Sequence, residues 1–341
     1  MKFKRKLPDV EELQQIYALT DNRARQKKEF IVSLQSILSG AQDRKMLLIG
    51  PCSADREDAV LEYAYRLAGI ADRVKDKLCI VPRIYTSKPR TKGTGYKGML
   101  HNPDASAVEE DLLEGIAATR KLHLRVIKET GFFPADEMLY PEEIYYIYDL
   151  LSYMAVGARS VEDQGHRMTA SDNAIPVGMK NPMGGSKIAL VNSVIAAQMP
   201  HRMIYRGWEV ETEGNPFAHC ILRGFTNKTG KNYSNYHYED LRELHDICLS
   251  NNVLMPGVII DCNHANSNKE YDEQPRIVKE VLNSCRENRT IHKFVKGFMI
   301  ESYLVDGCQK LGNGIYGKSI TDPCLGWEKT ERLILDIAEY L

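Results

Sequence analysis

The sequence predicts an α/β fold, a (β/α)8 TIM barrel with an N-terminal helical extension, and three observations lead to this prediction. Eight short apolar runs recur along the chain from Met46 onward. Segments with the apolar spacing of amphipathic helices separate most of these runs. The chain has 341 residues, which suits one such barrel. A doubly wound sheet is the alternative, but no GxGxxG sequence follows the first apolar run.

The first 44 residues are predicted to form an extension outside the barrel. They are mostly polar, with helical spacing of apolar residues over 10–17 and 29–38, and this part ends at Ser39-Gly40. Leu13, Ile16, Leu34 and Leu38 are apolar positions suited to docking on another surface. From sequence alone, residues 1–44 can dock either on the chain's own barrel or on a neighbouring subunit, and residues 45–341 are expected to form the barrel.

The predicted strands and helices alternate along the barrel segment. Strands are expected at residues 46–51, 78–85, 132–138, 156–161, 175–180, 219–225, 258–264 and 297–302. Helices are expected at residues 58–73, 108–129, 141–154, 186–198, 238–251 and 274–288. Residues 200–216 are compact and predict a short hairpin around Arg206-Gly207, inserted between the fifth and sixth strands.

Composition and charge narrow the class of protein. A net charge of -1 argues against a general nucleic-acid or membrane surface. The apolar runs are shorter than a bilayer span, and polar residues follow the basic start where a signal peptide needs an apolar core. Eight scattered cysteines without a CxxC pair are typical of reduced thiols. The sequence therefore predicts a cytoplasmic protein with no nucleic-acid or membrane partner.

Residues 82–100, PRIYTSKPRTKGTGYKGML, contain a dense cluster of cations. Glycines in this stretch allow tight turns, so that cations and backbone N–H groups can converge on one anion. A solvated basic loop is the alternative, but the apolar lead-in at 78–85 indicates a buried strand that delivers these cations. The cations are Arg83, Lys88, Arg90, Lys92 and Lys97.

Each predicted strand ends in, or leads directly to, a polar residue, and a barrel gathers its functional residues at this end. Cys52, His264, Glu301 and Asp322 offer a thiolate, an imidazole and two carboxylates, which suits a catalytic divalent transition metal. The second group consists of cations and predicts a substrate carrying phosphate and carboxylate groups. Its members are Arg83, Lys88, Arg159, Lys180 and Arg223.

Each residue of the first group also has an ordinary explanation when it is taken alone. Cys52 suits a small core position, His264 a hydrogen-bonded strand end, and Asp322 a helix N-cap. The functional interpretation depends on their occurring together at the ends of different strands.

These motifs resemble the type I 3-deoxy-D-arabino-heptulosonate 7-phosphate (DAHP) synthases, and they occur in the family's order over nearly the whole chain. The resemblance implies a (β/α)8 barrel, phosphoenolpyruvate and erythrose 4-phosphate as substrates, and a divalent metal cofactor (Mn2+, Fe2+, Zn2+ or Co2+). The matching segments are IGPCS at 49–53, KPRT at 88–91, GYKG at 95–98, GARSVEDQGHR at 157–167, PVGMKN at 176–181, ILRG at 221–224, NYS at 232–234, IDCNHANS at 260–267, IES at 300–302 and YGKSITDPCLGWE at 316–328.

Residue by residue, the resemblance implies three roles. The metal would be bound by Cys52, His264, Glu301 and Asp322. Phosphoenolpyruvate would be bound by Arg83, Lys88, Arg159, Lys180 and Arg223. Erythrose 4-phosphate would be bound by Arg90 and Thr91. Glu137 and His166 would line the same pocket. The chemistry of the reaction then makes Lys88 and His166 the expected proton carriers, and water is expected to be steered by Glu137 or by a metal-bound site. A sister family that makes an eight-carbon sugar acid has an ANR-type sequence in place of KPRT, which favours the erythrose 4-phosphate enzyme.

Two other functions stay open from sequence alone. One is a Schiff-base aldolase that uses Lys180, and the other is a catalytically silent barrel that binds sugar phosphates. In the resembled family, the extension and the hairpin serve subunit contacts and inhibition by aromatic amino acids. The resemblance therefore implies oligomer or regulatory contacts for residues 1–44, and because this extension keeps its apolar positions, we expect a homodimer or homotetramer. Because the hairpin region is short, we expect aromatic amino acids to inhibit weakly or not at all.

Overall fold

Eight parallel strands form the centre of the computed structural model, which describes residues 1–90, 93–107, 109–172 and 174–341. The strands are hydrogen-bonded in the order β2, β1, β8, β7, β6, β5, β4, β3, and the bridge between Arg83 and Ala135 joins the two ends of this series. The predicted barrel is therefore confirmed. The strands are β1 (Lys45–Gly50), β2 (Leu78–Pro82), β3 (Ala135–Met138), β4 (Tyr153–Val156), β5 (Val177–Lys180), β6 (Ala218–Leu222), β7 (Val258–Asp261) and β8 (Val295–Glu301).

Side chains of the barrel strands alternate between two apolar layers, as the two-residue period of a strand requires. Met46 and Leu48 of β1 pack inside the barrel, whereas Leu47 and Ile49 pack outside it, among side chains of the surrounding helices. Both layers exclude water, which is why these strands are almost continuously apolar in sequence.

Eleven α-helices accompany the strands within the described residues. The inner apolar cluster includes Leu34, Ile37 and Leu38 of α2, so this helix covers the end of the barrel at which the strands begin. The helices are α1 (Val10–Ile16), α2 (Asp21–Ser39), α3 (Glu57–Val74), α4 (Leu112–Thr130), α5 (Pro141–Ile144), α6 (Gln164–Ser171), α7 (Lys187–Gln198), α8 (Tyr238–Ser250), α9 (Gln274–Glu287), α10 (Arg289–Phe294) and α11 (Trp327–Tyr340).

The region around the fourth strand departs from the sequence prediction. The expected helix at 141–154 is only the four-residue α5 followed by a 3-10 turn at Tyr148–Leu150, and β4 precedes its predicted position at 156–161. The short strand Tyr-Met-Ala-Val contains helix-forming residues and continues an apolar run, so that local preference favoured a helix. Tertiary pairing with β3 and β5 overrides that preference. Helices α6, α10 and α11 were not predicted.

The N-terminal segment is tied to the barrel by buried polar contacts. The guanidinium of Arg120, on α4, is fully buried and forms a two-pronged ion pair with Asp149 at 2.6 and 2.8 Å. Its Nη2 also donates to the carbonyl of Tyr17, 2.8 Å away. Lys27 of α2 donates to the carbonyls of Tyr148 and Asp149. The 148–150 turn therefore contacts both α2 of the extension and α4 of the barrel.

An antiparallel strand pair, Arg202–Tyr205 with Trp208–Glu211, lies between β5 and β6 in sequence. Arg206 and Gly207 form its turn with φ angles of 52° and 83°, the left-handed conformation that tight hairpins require. The Arg206 guanidinium reaches the extension and contacts the carboxylate of Glu11 at 2.8 Å. No helix within the described parts of the chain is long and apolar enough to cross a membrane.

Candidate active site at the carboxyl ends of the strands

A cavity of about 350 Å³ opens at the carboxyl ends of the barrel strands. Tyr85, Met183, Asn232 and Lys269 line it in addition to predicted residues. The convergence of side chains from different strands follows from the barrel, because all its parallel strands end on the same face. The predicted site residues in this lining are Arg83, Lys88, Arg90, Glu137, Arg159, Lys180, Arg223, His264, Glu301 and Asp322.

Arg83 follows β2 and is 1% exposed. Its Nη2 lies 3.2 Å from Oε1 of Glu301, and its guanidinium carbon lies 4.0 Å from the centre of the Tyr85 ring. Burial disfavours the charged guanidinium, but Glu301 and Tyr85 outweigh burial and raise the pKa of Arg83 above its ordinary value. Its Nε and Nη1 have no hydrogen-bond partner among the described residues. These N–H groups are therefore available to an anion in the cavity.

Lys180, the last residue of β5, forms a buried ion pair with Glu137 of β3. Burial raises the pKa of Glu137, but the ammonium of Lys180 more than offsets burial and holds that pKa below its usual range. The Lys180 ammonium also lies 5.4 Å from the centre of the Tyr85 ring. Glu137 is therefore a carboxylate with a cation beside it, at the wall of the cavity.

Arg223, which follows β6, is 7% exposed, and burial lowers the pKa of its guanidinium. Its Nη1 lies 3.6 Å from the sulfur of Met183. Arg90 is held by a 2.6 Å bond from its Nε to the carbonyl of Tyr96. Thr91, predicted to bind erythrose 4-phosphate, lies outside the described residues.

Cys52, Glu301 and Asp322 place ligand atoms within 4.8 Å of one another. His264, the fourth predicted ligand, lies beside this group, with its Nε2 3.8 Å from Oε1 of Glu301. That Oε1 has no hydrogen-bond partner within the described structure, although it is buried. A thiol, an imidazole and carboxylates around a buried oxygen that accepts no hydrogen bond from the described residues, and whose ion-pair contact is Arg83, are a donor set that fits a divalent transition metal.

Neighbouring groups orient these candidate ligands. Nδ1 of His264 lies 2.9 Å from the buried carboxylate of Asp261, and Asn263 donates to Oε2 of Glu301. A carboxylate behind the imidazole fixes its orientation, as is common at metal sites. His264 also has a φ angle of 53°, which is uncommon for a residue other than glycine and occurs preferentially at functional sites.

Two lysines compensate the negative charge of the same group. The ammonium of Lys88 lies 2.7 Å from Sγ of Cys52 and 3.3 Å from Oδ2 of Asp322, and Lys269 contacts Oδ1 of Asp322 at 2.8 Å. Burial alone would raise the pKa of the Asp322 carboxyl. The charges of Lys88, His264 and Lys269 outweigh burial and hold this pKa below its usual range. Burial, followed by Glu301, raises the pKa of the Cys52 thiol to about 11.

The structure does not place His166 in the cavity lining. Its Nδ1 lies 2.7 Å from Asp163 and its Nε2 lies 3.0 Å from the carbonyl of Leu139, so both ring nitrogens are engaged on α6 and its surroundings. The expectation that His166 lines the same pocket is thus not met within the described lining, and its catalytic role stays a prediction.

Sequence analysis missed several residues of the site. Asp261 and Asn263 belong to the IDCNHANS segment, and Tyr85 to the strand lead-in. Asp261 contacts His264 three residues along the same segment, whereas Asn263 contacts Glu301 and Tyr85 contacts Lys180 from other strands, which sequence spacing does not show. Lys269 lies in a loop in which Asn268 and Lys269 both have positive φ angles. No local sequence signal distinguishes it.

Two buried carboxyl groups support the loop that carries Lys88. Asp136 accepts hydrogen bonds from the backbone N–H and hydroxyl of Thr86, at 3.0 and 2.5 Å. Glu143 accepts from the hydroxyl of Ser87 at 2.9 Å and from the backbone N–H of Leu139. Burial raises the pKa of Glu143 to about 8 and that of Asp136 to about 7.

Glu143 is expected to make stability depend on pH. An unfolded glutamic acid loses its proton near pH 4.5, whereas folded Glu143 keeps it to about pH 8. Between these values the folded state binds more protons, so its contribution to the unfolding free energy falls as pH rises through this window. In Glu143→Gln, the unfolding free energy should fall less between pH 5 and pH 8 than in wild type, by on the order of 2 kcal/mol. Urea unfolding at the two pH values measures this difference. Glu142→Gln, at the exposed neighbour, is the matched control, and equal slopes in wild type and Glu143→Gln would contradict the interpretation.

The sequence of this chain is similar to one known family of proteins. The sequence fits the model of the DAHP synthetase I family over residues 26–334. It is 37% identical over 346 residues to the Phe-sensitive phospho-2-dehydro-3-deoxyheptonate aldolase of Escherichia coli K12, covering 98% of this chain and 94% of the relative. It is 35% identical over 340 residues to the Tyr-sensitive enzyme of the same strain, covering 97% of this chain and 92% of the relative.

A solved structure also resembles the whole chain. The phospho-2-dehydro-3-deoxyheptonate aldolase of Francisella tularensis SCHU S4 superposes with a TM-score of 0.92 at 28% sequence identity. The match covers 100% of this chain and 98% of the other.

Proposed function

The chain belongs to the DAHP synthetase I family, and from this premise we propose that it catalyses the first step of the shikimate pathway. The reaction condenses phosphoenolpyruvate, D-erythrose 4-phosphate and water to 3-deoxy-D-arabino-heptulosonate 7-phosphate and inorganic phosphate. One observation carries the proposal. The buried cations Arg83, Lys180 and Arg223 share a cavity with the carboxylates of Glu301 and Asp322, beside Cys52.

The cations suit phosphoenolpyruvate, which carries a carboxylate and a phosphate. Arg83 offers two buried N–H groups without partners, and Arg223 and Arg159 line the same wall. Lys180 and Lys88 add ammonium groups that hold a trianionic substrate in register with the second reactant. Such positioning lowers the barrier to a bimolecular reaction by several kcal/mol. Arg90 and Thr91 would bind the phosphate of erythrose 4-phosphate.

Cys52, His264, Glu301 and Asp322 would hold the divalent metal, Mn2+, Fe2+, Zn2+ or Co2+. Bound there, the ion would supply Lewis acidity toward the aldehyde of erythrose 4-phosphate. Lys88, whose ammonium contacts Cys52 and Asp322, keeps these anionic ligands compensated and lies where it can protonate the oxygen that gains charge.

The bonds made and broken in the proposed condensation indicate a role for Glu137. C3 of phosphoenolpyruvate bonds to the aldehyde carbon, C2 becomes electron-poor, water adds to C2, and the phosphohemiketal breaks its C–O bond to release phosphate. The Glu137 carboxylate, kept ionised beside Lys180, would orient that water and accept its proton. His166, whose ring contacts the carbonyl of Leu139, would serve with Lys88 as a proton carrier.

The two alternatives make different demands on the same residues. A Schiff-base aldolase needs Lys180 as a free amine, whereas its ammonium is ion-paired with buried Glu137. A silent binding barrel needs no cluster of metal-ligand types. Borohydride added with the substrates, followed by mass spectrometry, tests the choice. The proposed function predicts no adduct on Lys180 and full loss of turnover with EDTA, whereas a trapped Lys180 adduct would support the aldolase.

We further propose that residues 1–44 form oligomer contacts and that the protein is a homodimer or homotetramer. Exposed apolar residues at the hairpin, Ile204 and Trp208, support this, because a monomer gains nothing from keeping them in water. The hairpin contacts the extension through Arg206.

Phenylalanine, tyrosine and tryptophan are expected to inhibit weakly or not at all, because the hairpin segment is short. Initial rates at low substrate, measured against each amino acid up to the millimolar range together with the solution mass, check both expectations. Strong inhibition by any one of them would contradict the first, and a monomeric mass the second.

A further inference from the structure

A second cavity, of about 660 Å³, lies at the opposite end of the barrel. It is bordered by the end of α2, the start of β1, α10 and the start of β8. Its described lining shares no residue with that of the active-site cavity. This end of a barrel usually serves stability and not catalysis, so a charged cavity there requires an explanation.

The lining is strongly basic. Among the described residues that border the cavity, Asp43 is the only carboxylate, and it is already hydrogen-bonded to His292 at 2.8 Å. Arg289 and Lys293 have no ion-pair partner within the described chain. The cationic residues of the lining are Arg44, Lys45, Arg289, Lys293 and Lys296.

Two of these lysines are buried, and they differ in how they are satisfied. Lys45, 3% exposed, donates to the carbonyls of His292 and Val295 at 2.7 and 2.9 Å, which stabilises the carboxyl end of α10. Lys296, 7% exposed, has no hydrogen bond or ion pair with any described group. Its stem packs on Gly257, where a Cβ would lie 2.8 Å from its Cγ. Gly257 therefore makes room for the stem, and the ammonium is left without a partner.

The surroundings of Lys296 disfavour the charged form of its side chain. Burial, followed by the charge of Lys45, lowers the pKa of Lys296 to about 8, and Lys293 lowers it further while Asp43 opposes the shift. An ammonium that lies against a second lysine, on a buried stem and without a carboxylate partner in the described chain, costs stability. Replacing such a group with an apolar one of similar shape normally stabilises a protein. A position that keeps the lysine at this cost is better explained by a ligand than by packing.

We propose that this cavity binds a small organic anion carrying two or more negative charges, such as a phosphate ester or a di- or tricarboxylate. Lys296 supplies the buried contact, and Arg289 and Lys293 close on the ligand from α10. The cavity has more room than inorganic phosphate needs, and Leu38 and Phe294 give it apolar walls. Lys45 and Lys296 begin the two strands that lead to Cys52 and Glu301, so the site is connected to the active-site face through β1 and β8.

The test uses the full-length protein, with pyrophosphate and citrate as probes in isothermal titration calorimetry and without phosphoenolpyruvate, which belongs to the proposed ligand class and would compete for the cavity. Binding at this cavity is the part of the wild-type probe binding that substitutions at its lining weaken, and it should amount to one probe molecule per chain. Lys296→Met, which keeps the stem and removes the charge, should weaken binding about tenfold or more. Lys293→Gln should weaken it less. Lys279→Gln, which removes an exposed lysine elsewhere, should leave binding unchanged.

Melting temperatures provide a second measurement that does not depend on a correct choice of probe. Without a probe, Lys296→Met should melt at a higher temperature than wild type, because it removes an unpaired charge that lies near the charge of Lys45. With a probe, wild type should gain stability and Lys296→Met should not. Equal probe affinity in wild type and Lys296→Met, no binding to wild type in the millimolar range, or a lower melting temperature for Lys296→Met would each overturn the proposal. None of these readouts requires turnover, so they are independent of the proposed function.

Discussion

Cys52→Ala is expected to lower kcat about 1000-fold and to abolish tight binding of a divalent metal. The Cys52 sulfur lies within 4.8 Å of the ligand oxygens of Glu301 and Asp322, so alanine removes one member of the proposed ligand set and leaves the carboxylates. Loss of Lewis-acid assistance at the aldehyde corresponds to about 4 kcal/mol of barrier, or about 1000-fold in rate. Metal content by mass spectrometry and turnover on the same samples measure both effects.

The control for this variant is Cys308→Ala, which replaces an exposed thiol away from the cavity. It should retain wild-type metal content and rate. His264→Ala should behave like Cys52→Ala, since its Nε2 lies beside Glu301. Wild-type turnover in Cys52→Ala, or full activity of metal-stripped enzyme, would contradict the assignment of this cluster.

Lys180→Met is expected to weaken phosphoenolpyruvate binding about 100-fold and to lower kcat/KM by more than that. The substitution removes a buried ammonium that faces the cavity and leaves Glu137 as an uncompensated buried carboxylate, which also repels an anionic substrate. Breaking one side of a buried ion pair typically costs about 3–5 kcal/mol. Titration with phosphoenolpyruvate and urea unfolding separate the effect on binding from the effect on stability.

The double variant Lys180→Met with Glu137→Gln tests this reasoning internally. Removing both charges should recover much of the stability that Lys180→Met loses, because no unpaired charge remains buried. Activity should stay low, because both the substrate-binding cation and the water-orienting carboxylate are gone. Arg159→Ala should also weaken phosphoenolpyruvate binding. Wild-type affinity in both Lys180→Met and Arg159→Ala would refute the assigned pocket.

The sequence allowed the barrel and most of the charged residues that line the cavity to be predicted, because both leave local signals. An apolar run followed by Lys180 or Glu301 indicates a strand and its functional end at once. The fourth strand was misplaced because its four residues are compatible with a helix, and only pairing with β3 and β5 determines its position. Arg159 lines the cavity as predicted, because it lies in the loop that follows the fourth strand.

Residues that act across the fold could not be found in this way. Asn263 donates to Glu301, and Glu143 accepts from Ser87, in each case from another segment of the chain. Lys296 looks like an ordinary lysine at the start of a strand, and its lack of a partner depends on residues that are distant in sequence. Such features depend on burial and on the presence or absence of neighbours, which the order of residues does not contain.

Phosphate release from phosphoenolpyruvate, measured with and without erythrose 4-phosphate, is the most direct test of the proposed reaction at this cavity. With both substrates and a divalent metal, we expect steady release of inorganic phosphate and equal consumption of phosphoenolpyruvate. EDTA should stop the release, and added metal should restore it. Release that does not require erythrose 4-phosphate, or that continues undiminished after the metal is removed, would contradict the proposed metal-dependent condensation.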